Sequence, residues 1–146
     1  MVVLVLVAAG WVAVAFQTSS GTDPQAFRQA VAKTAQGALS AVRTARLAGQ
    51  AQLDGRMLDT TLSPVLDNAV EGVATAQQEL AGTPAADPAE ATVRDQLARL
   101  LDEAARTVGA LVAAVDRNDD AAAGSAVTAL GPLGDRLDDF LQGHRP

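Results

Sequence analysis

A chain of 146 residues without a single cysteine can hold neither a disulfide framework nor a thiolate site, so its stability rests on packing. Its formal net charge of −6 excludes nucleic acid as the main partner, because phosphate binding needs clustered Lys and Arg that release counterions. Once an apolar leader is set aside, about 125 residues remain, which is one domain of ordinary size.

The charge is unevenly spread. Residues 1–56 carry five basic and two acidic side chains, whereas residues 57–146 carry six basic and fifteen acidic ones. Arg outnumbers Lys ten to one and Ala is the commonest residue, a composition typical of GC-rich bacterial genomes.

Met1 to Phe16 reads MVVLVLVAAGWVAVAF and is free of charge. At 1.5 Å per residue this run reaches about 24 Å as a helix, and extension through Gln17 to Ser20 brings it close to the ~30 Å hydrocarbon core of a bilayer. Residues 1–20 are therefore expected to form a transmembrane or signal-anchor helix, with Trp11 and Phe16 towards the outer headgroup region. Ala13-Val14-Ala15 has the small-x-small form of a signal-peptidase site, so the alternative is cleavage before Phe16 and secretion. The basic flank usual for such segments is missing, which suggests a true start upstream of Met1. A buried core helix is disfavoured because the run has no polar stripe.

Residues 21–23 read as a short linker, residues 24–142 as the helical domain and residues 143–146 as a tail. Asp23-Pro24 opens the first helix with a capping carboxylate and a proline at the first helical position. Phe27, Val31, Ala35, Ala38, Val42, Ala45 and Gly49 then recur at spacings of three and four, forming a shallow stripe of small side chains. Asp54-Gly55 signals a turn, and Ser63-Pro64 reads as a second cap-plus-proline start, so the chain reverses between residues 53 and 63. Leu62, Leu66, Ala69, Val73, Ala76 and Leu80 form the second stripe, and Gly82-Thr83-Pro84 ends it.

Asp87-Pro88-Ala89-Glu90 is a capping box and the clearest helix start in the chain. Leu97, Leu101, Ala104, Val108, Leu111 and Val115 carry the third stripe. Arg117-Asn118-Asp119-Asp120 makes a tight reversal, and Ala123, Val127, Leu130, Leu133, Leu137 and Leu141 make the fourth. Gly131-Pro132 interrupts this last stripe and predicts a kink near Leu130. Four segments with short connections give an all-α protein, an antiparallel up-down four-helix bundle following the N-terminal membrane or signal helix. A long rod, with the first two segments fused and the last two folded back on it, satisfies the same periodicity.

Residues that carry chemistry are scarce. Asp116, Asn118 and Asp120 open like a calcium loop, but Ala121 stands where the loop needs Gly and Val127 where it needs a bidentate Glu, so the segment reads as a polar turn. His144 is the lone histidine and lies in the tail, where it is expected to be solvated. Neither a zinc site nor a Ser-His-Asp system can be assembled around it. The pairs Asp102-Glu103 and Asp138-Asp139 point about 100° apart on a helix and read as solvated faces. Beyond the leader the aromatics are Phe27 and Phe140, both expected in the core near one end of the bundle. No catalytic, cofactor-binding or metal-binding residue is assigned, and the chain is expected not to be an enzyme.

Arg28, Lys33, Arg43, Arg46 and Arg56 could meet an acidic partner or lipid headgroups, though offsetting the acidic neighbouring helices is the simpler expectation. In its layout of one apolar leader and one alanine-rich helical domain, the chain resembles the small, single-span, extracytoplasmic helical proteins of GC-rich bacteria. This resemblance implies the anchor-plus-bundle organisation and carries over no functional residue. The expected role is that of a non-enzymatic interaction module on the extracytoplasmic side of the cell membrane, held by the N-terminal helix and meeting another envelope protein. The alternative function is a sensor binding a small apolar molecule in the bundle core, opened at Gly131-Pro132.

Overall fold

A computed structural model describes residues 23–145, so the expected leader helix lies outside the described residues. The described chain is all helical: α1 is Pro24–Leu53, α2 Asp59–Ala81, α3 Pro88–Asp116 and α4 Asp120–Gly143. Among the described residues no helix is long and apolar enough to cross a membrane.

Each boundary has a local cause. Asp23 holds an extended backbone and accepts the Gln25 N–H at 2.9 Å, with Pro24 beginning α1. Asp87 accepts the Glu90 N–H at 2.8 Å while Glu90 accepts the Ala86 N–H at 2.8 Å, which places the donor of the box's return bond one residue ahead of the cap. The end of α1 is a Schellman closure: Gly55 adopts φ +69°, Arg56 N–H donates to the Ala51 carbonyl at 2.8 Å and Gly55 N–H to Gln52 at 2.9 Å. Asn118, at φ 52°, plays the same part after α3, with Asp119 N–H reaching the Ala114 carbonyl at 2.9 Å. Asp119 then caps α4 by accepting the Ala122 N–H at 3.0 Å, so a single residue closes one helix and opens the next.

The start of α2 differs from the sequence expectation. The helix begins at Asp59, and Pro64 lies inside it, with Leu58 as an N-cap that makes no side-chain cap bond. The Leu58 carbonyl instead receives the N–H groups of Thr61 and Leu62 at 2.9 and 3.1 Å. Pro64 cannot donate to the Thr60 carbonyl, but both residues are exposed, so water can serve that acceptor. Pro132 is tolerated in α4 for the same reason: it and Thr128, one turn back, are exposed.

Close approaches fix the directions of the helices. Gly134, Gly131 and Gly124 of α4 face Val42, Arg46 and Leu53 of α1 in that order, so the two run antiparallel. Thr34 meets Glu79 while Gly72 lies against Ala41, which makes α1 and α2 antiparallel as well. Gln77–Asp102 and Arg136–Glu103 tie α2 to α3 and α4 to α3. α1 also touches α3 across the diagonal, whereas α2 and α4 share no contact among the described residues.

α1 and α3, which meet across that diagonal, each have three neighbours and are the two helices richest in alanine, with nine and eight. α1 buries positions beyond its stripe: Thr34, Leu39, Ala41 and Ala48 are buried in addition to the seven expected residues. Small side chains let the diagonal close. At Gly49 an added Cβ would lie 2.6 Å from Val127 Cγ2 and 3.1 Å from Leu111 Cδ2, the point where α1, α3 and α4 converge. All six expected core positions of α2 and all six of α4 are buried. In α3, which ends at Asp116, Val115 is half-buried and Ala114 takes the core position, three residues after Leu111 instead of four.

Candidate interaction surface

The interior is filled by Ala, Val and Leu, with eight leucines from Leu62 to Leu137 among its fully buried side chains. Leu130 and Leu133, on either side of Pro132 along the chain, are both fully buried, so the proline lies on the outer side of α4. Thr34 is the one buried polar residue among those described, and its Oγ1 donates to Glu79 Oε2 at 3.3 Å. Polar chemistry therefore lies on the outside.

The carboxylate pairs diverge. Asp102 accepts from Gln77 of α2 at 3.0 Å, while its neighbour Glu103 takes both Arg136 guanidinium nitrogens of α4, the Nη1 contact at 2.8 Å. That fork holds the Glu103 carboxyl below its ordinary range and keeps Arg136 still more firmly cationic. Asp138 pairs with Arg43 at 3.6 Å. Among the described residues no group of three or more His, Cys, Asp or Glu side chains is arranged to hold a metal ion. The calcium-like segment is the Schellman turn already described, its Asp119 committed to the α4 cap.

His144 departs from the solvated position expected of it. It is half-buried, stacks on Phe140 with ring centroids 4.3 Å apart, and its Nδ1 lies 2.7 Å from the Phe140 carbonyl oxygen. The helix runs on to Gly143, so His144 sits at its C-cap, one turn after Phe140, where an aromatic ring finds apolar cover and a free carbonyl. A phenylalanine four residues before a histidine near a helix end was the signal available in the sequence.

Three of the five basic residues from the first part of the chain meet neighbouring carboxylates. Lys33 lies 3.9 Å from Glu79, Arg43 pairs with Asp138, and Arg56 binds Asp54 at 2.6 Å. This last hydrogen bond, with a second from Gln50, lowers the pKa of Asp54. Arg28 and Arg46 make no ion pair among the described residues. Leu47, next to Arg46 in the chain and one turn after Arg43, is 70% exposed in the last third of α1.

Shallow grooves run between the helices. One of about 560 Å³ lies between α1 and α2 over Gly37 and Gly72. Another, of about 570 Å³, opens at the end where α1 and α3 begin and α4 finishes; Phe27, Val31 and Val93 line it with Arg28, His144 and Arg145. Phe27 and Phe140 are both buried near this end, as the sequence leads one to expect. Comparison of the chain with protein-family models, with curated proteins and with solved structures gives no match.

Proposed function

We propose that this chain is a membrane-tethered, extracytoplasmic helical bundle that acts without catalysis, by contact with another envelope protein. The carrying observation is α1 itself: thirty residues with four basic and no acidic side chains, exposing Leu47, while Arg46, whose guanidinium lies over Gly131 of α4, has no ion pair among the described residues. An exposed leucine on a helix whose charged side chains are all basic is the form of an interface anchor, since Leu supplies apolar area and Arg is enriched at contact surfaces. The partner surface is accordingly acidic around an apolar pocket. The apolar leader supplies the tether, and the filled interior leaves the outer helix faces as the working surface.

A photoreactive residue at position 47, activated in intact membranes, tests this reading. The expected result is one specific crosslinked envelope protein, lost when Arg43 and Arg46 are replaced by Glu. Recovery of no specific adduct would contradict it.

A further inference from the structure

The α1–α4 seam joins two exposed stripes of opposite charge. On α1 the stripe is Ser40, Arg43, Leu47 and Gln50, with Leu47 its apolar member. Arg43 places it beside α4, because it lies 3.6 Å from Asp138. On α4 the facing stripe runs Thr128, Gly131, Asp135 and Asp138, fixed to the seam by the Asp138 pair and by Gly131 beneath the Arg46 guanidinium. Its charged members are both acidic, since Arg136 turns the other way to Glu103 of α3. Asp135 and Arg46 are exposed and make no ion pair among the described residues, and the Arg43 side chain stays 58% exposed beside Asp138.

A basic stripe next to an acidic one selects both an occupant and its orientation. With two copies face to face, a two-fold axis parallel to the helices lays α1 of each over α4 of the other, basic on acidic twice. A two-fold across the helices would lay α1 on α1 and α4 on α4, like charge on like. The parallel axis also leaves both chain starts at one end, as two copies tethered to one bilayer require. It keeps every residue at its own height. Val42 is level with Gly134, Arg46 with Gly131 and Leu53 with Gly124, so Leu47 is level with Leu130. Leu47 thus comes over the exposed Thr128 and Pro132, two residues to either side of Leu130. Asp135, next to Gly134, comes within two residues of the other copy's Arg43, about 3 Å along the axis. The face is also large enough: the 24 residues of α4 span about 36 Å and two helices about 20 Å, roughly 700 Å² per copy against the ~800 Å² of a standard interface.

We infer that the protein forms a two-fold homodimer through its α1–α4 face, with Leu47 against Thr128 and Pro132 of the second copy and Arg43 paired with its Asp135. This dimer rests on the reading of Leu47 as an interface anchor and makes a second copy of the chain that anchor's partner.

The test is native mass spectrometry of the full chain in detergent micelles, following the dimer across protein concentration. The native chain is expected to dimerise, and Arg43→Glu or Asp135→Arg alone should weaken the dimer by about tenfold or more by setting like charges together. Mixing the two single variants should recover that loss as a heterodimer, because both contacts then join unlike charges across copies. Both residues are exposed, and retained helical circular dichroism confirms that each variant folds. A native chain that stays monomeric at micromolar concentration overturns the inference. So does a dimer that either single variant leaves intact, which would place it on the leader or another face, or a mixture that stays monomeric. A photoreactive residue at position 47, activated in intact membranes, separates the homodimer from the reading beneath it. An adduct of twice the chain's mass is expected. An adduct with a different protein alone overturns the homodimer and leaves Leu47 an anchor, whereas no adduct contradicts both.

Discussion

Gly49 and Gly37 lie on the same helix and have opposite meanings. An added Cβ at Gly49 enters Val127 and Leu111, whereas at the exposed Gly37 it meets nothing within 4 Å. Gly49→Val should therefore lower stability by about 1–3 kcal/mol through overpacking. Gly37→Ala should raise it by about 0.5–1 kcal/mol by relieving the helix-interior cost of glycine. Denaturant unfolding followed by circular dichroism reads both, and a loss of stability at Gly37 would show that the outer face of α1 is less open than described. Nothing in the sequence distinguishes these glycines beyond the stripe, which includes Gly49 and leaves Gly37 off.

At the scale of the helices, the stripes were legible because burial follows a period that the side chains spell out. Boundaries were legible where a side chain makes the cap, as at Asp23 and Asp87, and where a glycine marks the turn, as at Gly55, but not at the start of α2, where the Leu58 side chain makes no cap bond. Ser63-Pro64 has the composition of a helix start, yet an exposed proline one turn inside α2 loses a single bond that water can replace. The lateral links were invisible to sequence because they join residues far apart in the chain: Arg136 reaches Glu103, and Thr34 reaches Glu79. Asp119→Ala, which removes the α4 cap, should cost about 1 kcal/mol. A change much below that would mean the cap bond at Ala122 adds little.

The α3–α4 fork also gives stability a pH dependence. The Glu103 carboxyl is lowered in the folded state, so its contribution is fully present above the ordinary carboxylate pKa of about 4.3 and is lost as pH falls through the lower folded value. Because the pair is substantially exposed, the contribution is about 0.5–1 kcal/mol. Glu103→Gln should be less stable than the native chain near neutrality, and the difference should shrink below pH ~4.3. Melting curves across this range check it, and a difference that stays constant with pH would assign the loss to packing.

For the molecule as a whole, charge is divided by helix. α1 carries only basic charged residues and α2 only acidic ones, while α3 and α4 mix both. Adjacent helices of opposite sign attract, which supports the α1–α2 pairing and still leaves Arg28 and Arg46 outward without ion partners among the described residues. Composition alone indicated the basic first segment, but which of its side chains are satisfied depends on the register between helices. The groove over Phe27, at the start of α1, and the exposed Leu47, in its last third, are two separate surfaces.

The central claim is that an apolar leader holds this bundle outside the permeability barrier. Its most direct measurement is protease digestion of intact spheroplasts, combined with carbonate extraction of their membranes. The account predicts a chain that stays with the membrane in carbonate and whose bundle is cut by protease added from outside. A full-length chain recovered in the cytosolic fraction, or one protected until the cells are lysed, would contradict it.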